Sequence, residues 1–439
     1  MIRNYITQAI TMMRQHKLFT GIYVASTAIS LALAMTLFMV FHIKLAPGYP
    51  EYNRDRILIF YGAEFNDVGP LPPTQITKYM GIHLSGGFAT EVIANIDGIE
   101  RIALTASPEM SFDPSNIRTE GSDKCIDWSA DAICVDDNYW KTFGFEFISG
   151  APFTKEELND AKAVISESYA RALFARTDVA GEKMILDGHG ECTIVGVVKD
   201  APECMELTCY DIFFPLNYIN LKGSYDKWDG IHGHYEALIT YSPGADVDNI
   251  KKEIEERYHR YSQEYIKNEG FTKFNYDIRI YRNWEKALAT GGDSTIWDAL
   301  KKYFYVVLAF LFIPALNLSG MISSRMNSRL AELGVRKAYG ATNAQILWQL
   351  LWENLFLTFL GSLIGLALSY IITGNLFRFL HTLITGGTVD YDTPMQMLFS
   401  PRIFIVTLLV CVLLNIASAL LPAMFALKNN IVQSLYNKR

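Results

Sequence analysis

Charged residues are scarce in this 439-residue sequence: they make up 19 % of it, against about 25 % in typical soluble domains. Hydrophobic residues make up 50 %, which excludes a disordered chain, a collagen-like chain and a coiled coil. The scarcity is uneven, because residues 44–302 contain 27 basic and 42 acidic residues and the rest contains 12 basic and 4 acidic ones. An acidic domain is therefore combined with a nearly uncharged, net cationic remainder, as in membrane proteins.

The sequence also lacks the common motifs of enzymes. It has no Gly-Lys dipeptide, which excludes a Walker A phosphate-binding loop, and it has neither an H-E-x-x-H nor a G-x-S-x-G motif. The two histidines around Gly233 are too few for a metal site, and Asp136-Asp137 is interpreted as a helix cap. We therefore expect no catalytic residue, no metal ion and no cofactor on this chain, and no nucleic-acid partner.

Four long runs without a charged residue are the main positive signal. A helix that crosses a bilayer needs about 20 mostly apolar residues, and each of these runs is long enough: 18–43, 303–324, 354–377 and 403–427. The first run has a basic flank and a signal-like Ala32-Leu33-Ala34 site. It is much longer than the roughly 7–15 apolar residues of a signal peptide, which favours an uncleaved anchor. The sequence predicts an α-helical membrane protein with four transmembrane helices.

The basic residues indicate which way these helices face. Lys and Arg are in excess in residues 1–17, in the loop 325–353 and in the tail 428–439, but not in the loop 378–402. Such an excess marks the cytoplasmic side. With four spans, the three cationic segments share one side if both termini are cytoplasmic. Residues 44–302, the outer domain, then lie outside the cytoplasm.

The outer domain alternates apolar β-rich runs with helical stretches. Strands are predicted at 57–61, 101–105, 192–199, 235–241 and 274–281, helices at 90–96 and 246–261, and a strand followed by a helix at 161–174. This pattern predicts an α+β domain, and its size favours two packed lobes.

Five of the six cysteines lie in the outer domain. Cys125 and Cys134 are close enough in sequence to form a disulfide, and so are Cys204 and Cys209. An oxidising compartment permits such bonds. The sequence leaves open whether these residues form disulfides or remain buried thiols.

The loop after the second span carries the most specific pattern. An amphipathic helix is predicted over 325–335, and Gly334 and Gly340 interrupt what would otherwise be one long helix into the membrane. The loop is either an ordinary cationic cytoplasmic loop or a docking helix for a cytoplasmic protein. The motif residues are Arg329, Glu332, Leu333, Gly334, Val335, Arg336, Lys337, Ala338, Gly340 and Ala341.

This motif resembles the R-x-x-E-[IL]-G-[IV]-R-[KM]-A-x-G-A signature of FtsX-like permeases in the MacB class of ABC transporters. The segments VDDNYWKTFGFEFISGAPFT, AVISESYARALF, GEKMIL and TIVGVVKDAP resemble the periplasmic core domain of that family. Residues 3–18 resemble its amphipathic first helix, and residues 422–435 resemble its terminal segment, with Ile431 in place of the expected proline.

The resemblance implies a permease that passes the motion of an ATPase to its outer domain. It implies an inserted lobe at 113–231, a second lobe formed by 50–112 and 232–290, and a homodimer or heterodimer in the bacterial inner membrane. We expect the ATPase on a separate chain, docked on Arg325, Arg329, Glu332, Leu333, Gly334, Arg336, Lys337 and Gly340. A peptide, an antibiotic-like compound or a lipoprotein would be the substrate, and a periplasmic adaptor or outer-membrane channel is a further partner.

The spans themselves contain few polar residues. Asn317 and Asn415 are explained by hydrogen bonds between helices, and the Gly361–Gly365 pair permits close helix packing within or between protomers. A membrane-anchored sensor or scaffold, or a regulator of periplasmic cell-wall hydrolases without transport, is the alternative. A sensor needs only one or two spans and normally has a cytoplasmic output domain, which disfavours that alternative.

Overall fold

The computed structural model describes residues 17–68, 81–84, 86–107, 116–119, 130–202, 205–218, 232–233, 235–269, 274–288 and 339–385, with isolated residues at 301–335 and 405–413. The chain divides into two compact units. One contains Met1–Ile43 and Thr290–Arg439 and is called the membrane unit; the other is Lys44–Ala289. The second unit ends before residue 302, where we had placed the end of the outer domain, and the name outer domain is kept for it.

Helices and strands are numbered along the described part of the chain. The helices are α1 (Lys17–Leu45), α2 (Asp137–Thr142), α3 (Glu167–Phe174), α4 (Val247–Glu269), α5 (Asn283–Leu288) and α6 (Asn343–Thr385). A π-helix covers Phe88–Ile93, and 3₁₀ turns cover Arg54–Arg56 and Lys155–Glu157. The strands are β1 (Ile57–Val68), β2 (Gly81–Leu84), β3 (Ile99–Ala106), β4 (Ile117–Thr119), β5 (Ala132–Val135), β6 (Phe147–Gly150), β7 (Lys162–Ser166), β8 (Lys183–Leu186), β9 (Gly190–Val198), β10 (Ile212–Pro215), β11 (His232–Gly233), β12 (Glu236–Tyr241) and β13 (Phe274–Arg282).

The membrane unit is described mainly through α1 and α6. Among the described residues, one stretch, Leu355–Ile372, is long and apolar enough to cross a bilayer, and Thr20–Thr36 is a shorter apolar stretch. The predicted spans 303–324 and 403–427 lie almost entirely outside the described residues, as do the predicted helix before residue 17 and the tail. Four transmembrane helices and their orientation therefore stay predictions.

The helix α6 is longer than the span predicted within it. It runs for 43 residues without a break, whereas the charge-free run covers only 354–377. We had placed residues 345–353 in the coupling loop, as a helix that runs along the membrane surface before it enters the membrane. They are helical and continuous with the rest of α6, and their cytoplasmic position stays a prediction. The charged Glu353 limits the apolar run without interrupting the helix, because Glu is a good helix former.

The strands of the outer domain form one sheet of 13 strands. Its order is β11-β2-β1-β12-β3-β5-β10-β7-β9-β8-β4, with β13 on β1 and β6 on β9. The strands β1 to β3 and β11 to β13 lie on one side of the β3–β5 pair and are called the β1 half. The strands β4 to β10 lie on the other side and are called the β5 half.

The two halves correspond to separate stretches of sequence. Strands of the β1 half lie within 57–106 and 232–282, and strands of the β5 half lie within 117–215. Hydrogen bonding continues across them, since Thr105 pairs with Val135 and Ala106 with Cys134. Because one sheet contains both halves, the division into two separate lobes stays a prediction.

Both faces of this sheet are covered. In β1, Leu58 and Phe60 contribute to one buried cluster, whereas Ile57 and Ile59 contribute to the other. Alternation along a strand sends successive side chains to opposite faces. Two covered faces explain why the central strands are continuous apolar runs without polar alternation.

Local sequence signals set several helix ends. The Asp136 side chain accepts a hydrogen bond from the Tyr139 N–H at 2.9 Å and caps α2, as we had predicted for this acidic pair. Ser166 caps α3, so the predicted strand and helix at 161–174 appear as β7 and α3. The predicted helix at 90–96 is a π-helix over Phe88–Ile93, and the predicted helix at 246–261 continues to Glu269.

Candidate functional site

The predicted coupling loop is described at its C-terminal end. Gly340 is described, whereas the other predicted coupling residues lie outside the described part of the chain: Arg325, Arg329, Glu332, Leu333, Gly334, Arg336 and Lys337. The described residues of this site are Val335 and those that follow Ala338.

A helical turn ends at Gly340. The Tyr339 N–H donates to the Val335 carbonyl at 3.0 Å, which is the hydrogen bond of an α-helix. Gly340 then has a φ of +88°, in the left-handed region that glycine adopts without a steric penalty. A left-handed glycine after the last turn is a common way to end a helix.

Only two residues separate Gly340 from the next helix, α6, which begins at Asn343. The Gln345 N–H donates to Thr342 Oγ1 at 3.3 Å, and the Thr342 N–H donates to Gln345 Oε1 at 3.0 Å. This reciprocal pair is a capping box, which satisfies two backbone donors that a helix start leaves unpaired. The chain therefore stops one helix and starts α6 within a short turn, residues 339–342, called the Gly340 turn.

Large side chains on and beside this turn are exposed. Tyr339 is 89 % exposed, Val335 54 % and Trp348 59 %. Exposed apolar groups next to a cationic segment are typical of a surface that binds another protein. The sequence analysis did not single out Tyr339 or Trp348. For Tyr339, the available signal was its position between Gly334 and Gly340.

The helix that begins at this turn packs tightly on α1. A Cβ atom on Gly361 would lie 3.0 Å from the Thr27 Cβ, and one on Gly365 would lie 2.8 Å from the Ala28 carbonyl oxygen. The two backbones therefore approach each other where both glycines lack a side chain. The contact lies within one chain, whereas the sequence had left open whether these glycines pack within or between protomers.

Hydroxyl groups line the same interface. Tyr23 Oη lies 3.4 Å from Thr358 Oγ1, and both side chains are buried. Ser362 donates to the Phe359 carbonyl at 2.7 Å within its own helix. Asn317 and Asn415, which we had expected to form such bonds, lie outside the described residues.

The part of the outer domain that is described offers no metal-binding cluster. No group of three or more His, Cys, Asp or Glu residues there could hold a metal ion. Burial raises the pKa of the Cys192 thiol, which keeps it protonated. Cys134 is buried and Cys209 half-buried, but Cys125 and Cys204 are not described, so both predicted disulfides stay predictions.

Two family models match the chain. The MacB-like periplasmic core domain matches residues 20–257, and the FtsX-like permease C-terminal domain matches residues 304–431. The first match alone covers more than half of the chain.

Curated relatives match over part of their length. The chain is similar to the uncharacterized ABC transporter permease YknZ of Bacillus subtilis, with 23 % identity over 63 % of this chain and 64 % of that protein. It is also similar to the macrolide export ATP-binding/permease protein MacB 1 of Yersinia pestis, with 24 % identity over 71 % of this chain and 44 % of that protein. The chain therefore spans less than two thirds of either relative.

Solved structures of outer domains also resemble this one. The extracellular domain of the noncanonic ABC-type transporter YknZ from Gram-positive bacteria has 18 % identity and a TM-score of 0.33, covering 51 % of this chain and 98 % of that one. The periplasmic region of MacB from Actinobacillus actinomycetemcomitans has 15 % identity and a TM-score of 0.34, covering 52 % and 88 %.

Proposed function

The chain belongs to the family of ABC transporter permeases with an FtsX-like domain and a MacB-like periplasmic core domain, and we propose that it couples ATP hydrolysis to motion of its outer domain. In this proposal the ATPase is a separate cytoplasmic subunit, which binds and hydrolyses the ATP. The permease contributes no catalytic residue. It converts the closing and opening of the ATPase into a displacement outside the cytoplasm.

The observation that carries this proposal is the continuity from the Gly340 turn to α1. The turn begins α6, and α6 contacts α1 at Gly361, which faces the Thr27 side chain, and at Gly365, which faces the Ala28 carbonyl. Close-packed helices deform little, so a push on the turn displaces both helices together. The chain of α1 then continues directly into the outer domain.

We assign the docking of the ATPase to the loop before α6. Its four cations, Arg325, Arg329, Arg336 and Lys337, outnumber the single Glu332 and suit an acidic partner surface. The exposed Tyr339 follows these cations in the sequence and supplies an apolar contact. Gly340 sets the path of the backbone before α6, and Leu333 and Gly334 complete the predicted docking residues.

The proposal extends to the assembly around the chain. We infer a bacterial inner-membrane protein with four spans, both termini in the cytoplasm, the outer domain in the periplasm, and a second permease protomer. The name of the Yersinia relative assigns macrolide export to that protein. For this chain we propose efflux or extraction of a peptide, an antibiotic-like compound or a lipoprotein, with a periplasmic adaptor or outer-membrane channel as a further partner.

A charge-reversal variant tests the docking assignment. The full-length protein is purified in mild detergent, and the co-purifying ATPase is quantified by mass spectrometry. We expect R336E/K337E to lower its recovery at least tenfold, because each reversal places like charges in contact. The matched control K428E/K438E changes the same charge in the tail. Equal recovery with both variants would refute the assignment, and a wild-type chain recovered without any ATPase would favour the scaffold alternative.

A further inference from the structure

The segment between α1 and β1, residues 46–56, is called the linker. It leads directly into β1, so it is covalently part of the β1 half of the sheet. Its hydrogen bonds, however, reach the β5 half. The Tyr49 hydroxyl donates to the Lys199 carbonyl at 3.0 Å, and the Gly144 N–H donates to the Pro50 carbonyl at 2.9 Å. The linker therefore connects both halves at the point where the chain enters the outer domain.

A buried ion pair is the centre of this connection. Glu51 is fully buried, and Arg54 is 4 % exposed. The Arg54 Nε lies 3.3 Å from Glu51 Oε2. Glu51 Oε1 accepts hydrogen bonds from the Leu207 N–H at 3.0 Å and from Thr208 Oγ1 at 3.1 Å. The Glu51 carboxylate thus contacts Arg54 in the linker and both Leu207 and Thr208 in the segment that precedes β10.

The receiving side of the ion pair is rigid. The Tyr139 hydroxyl donates to the Leu207 carbonyl at 2.7 Å, and Tyr139 is fully buried. Its ring packs against Phe143 with centroids 4.8 Å apart and against Phe213 at 6.0 Å. The carboxylate of Glu51 is therefore attached to the aromatic core of the β5 half and not to a loose loop.

Stability alone does not account for this arrangement. Burial raises the pKa of Glu51, and the neighbouring Arg54 and the two hydrogen-bond donors oppose that shift. Removing two charges from water costs several kcal/mol, and buried ion pairs are often replaced by apolar residues without loss of stability. The pair also fixes the position of the linker, because Glu51 Oε1 accepts from two defined donors, the Leu207 N–H and Thr208 Oγ1.

We propose that Glu51 is a positioning residue that locks the β1 and β5 halves into one rigid body at the linker. The halves also meet at the β3–β5 pair, where Thr105 and Ala106 are hydrogen-bonded to the neighbouring strand. Beside that pair, the Asn138 side chain donates to the Ile102 carbonyl at 3.0 Å. The linker adds an attachment at a different point of the sheet and opposes flexing about the β3–β5 pair. This inference rests on the proposed function, since the lock lets a displacement of α1 reach residues 130–215 without being absorbed by bending.

The test measures the distance between the halves in the full-length protein in lipid nanodiscs, reconstituted with its co-purifying ATPase. Spin labels on p-acetylphenylalanine replace Arg171, in the β5 half, and Lys252, on the α4 helix of the β1 side; their side chains are 64 % and 73 % exposed. The variant E51M/R54M replaces both charged side chains by apolar ones of similar length and removes the oxygen that accepts from the Leu207 N–H and Thr208 Oγ1. The matched control E100M/R56M makes the same replacement in a partly exposed pair at 3.2 Å that joins the same linker to β3.

We expect a narrow distance distribution in the wild type and in the control, and one at least twice as wide in E51M/R54M. A purely structural role would lower the melting temperature without widening the distribution. Equal widths in all three proteins would overturn the proposal. If E51M/R54M does not fold, Thr208→Val removes one donor and is judged by the same width.

Measurements without and with ATP distinguish a failure of this proposal from a failure of the proposed function. The widening is measured without ATP, and so it does not require coupling. If E51M/R54M widens the distribution but ATP moves no labelled position in the wild type, the lock is present and the proposed function fails. If ATP moves the wild-type protein and the distribution of E51M/R54M stays narrow, the proposed function stands and the role of Glu51 is wrong.

Discussion

The membrane unit and the outer domain pack their interiors in opposite ways. The contact between α1 and α6 centres on glycines, at Gly361 and Gly365. The β5 half of the outer domain instead packs large rings. The ring centroid of Trp140 lies 5.3 to 5.6 Å from those of Phe145, Phe147, Phe153 and Phe213. In lipid, burying apolar area contributes little free energy, so helices associate through the close approach of their backbones. In water, burial of the large rings contributes the stabilising free energy.

Removing a ring from the outer domain is expected to have the largest effect. Tyr139→Ala empties a fully buried site and removes the hydrogen bond to the Leu207 carbonyl. We expect a loss of about 3–5 kcal/mol in the free energy of unfolding, as for other buried aromatic residues. Tyr52→Ala, at a ring that is 56 % exposed, is the control. Urea unfolding of the full-length protein, followed by near-UV circular dichroism, measures the difference, and similar losses in both variants would contradict the ring-based packing.

Adding a side chain to the glycine contact should have the next largest effect. Gly365→Leu places atoms against the Ala28 carbonyl, which is backbone and cannot move aside. We expect a destabilisation of about 1–3 kcal/mol from overpacking, with a matching loss of ATPase-coupled motion. Gly21→Leu is the matched control, because a Cβ there would meet nothing within 4 Å. Thermal unfolding in detergent compares the two, and an equal melting temperature would show that α1 and α6 are not in close contact.

A pH-dependent contribution is expected from the outer domain. Burial raises the pKa of Asp136 to about 7 from its usual 3.8. The folded protein then holds this proton more tightly than the unfolded chain, so its contribution to stability is complete below about pH 4 and is lost as the pH rises through about 7. Asp136→Asn can still cap α2 without a charge.

Stability profiles from pH 4 to pH 8 test this sign. We expect Asp136→Asn to be more stable than the wild type by a few kcal/mol at pH 8, with the difference shrinking toward pH 4. Asp178→Asn also removes one carboxylate, at a side chain that is 82 % exposed, and serves as the control. A constant difference between Asp136→Asn and the wild type across the whole range would contradict the prediction.

The smallest effect on stability is expected at the Gly340 turn. Thr342→Ala removes the hydroxyl that accepts from the Gln345 N–H, which costs about 1 kcal/mol at a helix start. Thr342→Ser keeps that acceptor and should restore stability. We expect Thr342→Ala to lower ATPase recovery more than its melting temperature suggests, since the turn presents Tyr339. Wild-type recovery with Thr342→Ala would place the docking surface elsewhere in the loop.

Local features of the fold could be predicted well from the sequence. The strand and helix at 161–174, the cap at Asp136 and the helix stop at Gly340 depend on neighbouring residues alone. The glycine pair in the third span indicated close packing, because small residues four apart lie on one face of a helix. Its partner could not be predicted, since nothing local links Gly361 to Thr27.

Long-range features could not be predicted for the same reason. Glu51 and Thr208 are 157 residues apart, and no periodicity connects them. The order of the strands likewise depends on pairings such as β3–β5, which join distant parts of the chain.

The position of the glycine contact along α6 joins this helix to α1 at its centre. Gly361 and Gly365 lie at the middle of Asn343–Thr385, so about 30 Å of helix extends on either side at 1.5 Å per residue. Because α1 and α6 are displaced together in our proposal, a force on the Gly340 turn acts at the end of an arm of this length and tilts the joined pair as one body. A tilt about the glycine contact moves the two ends of α6 in opposite directions by similar distances.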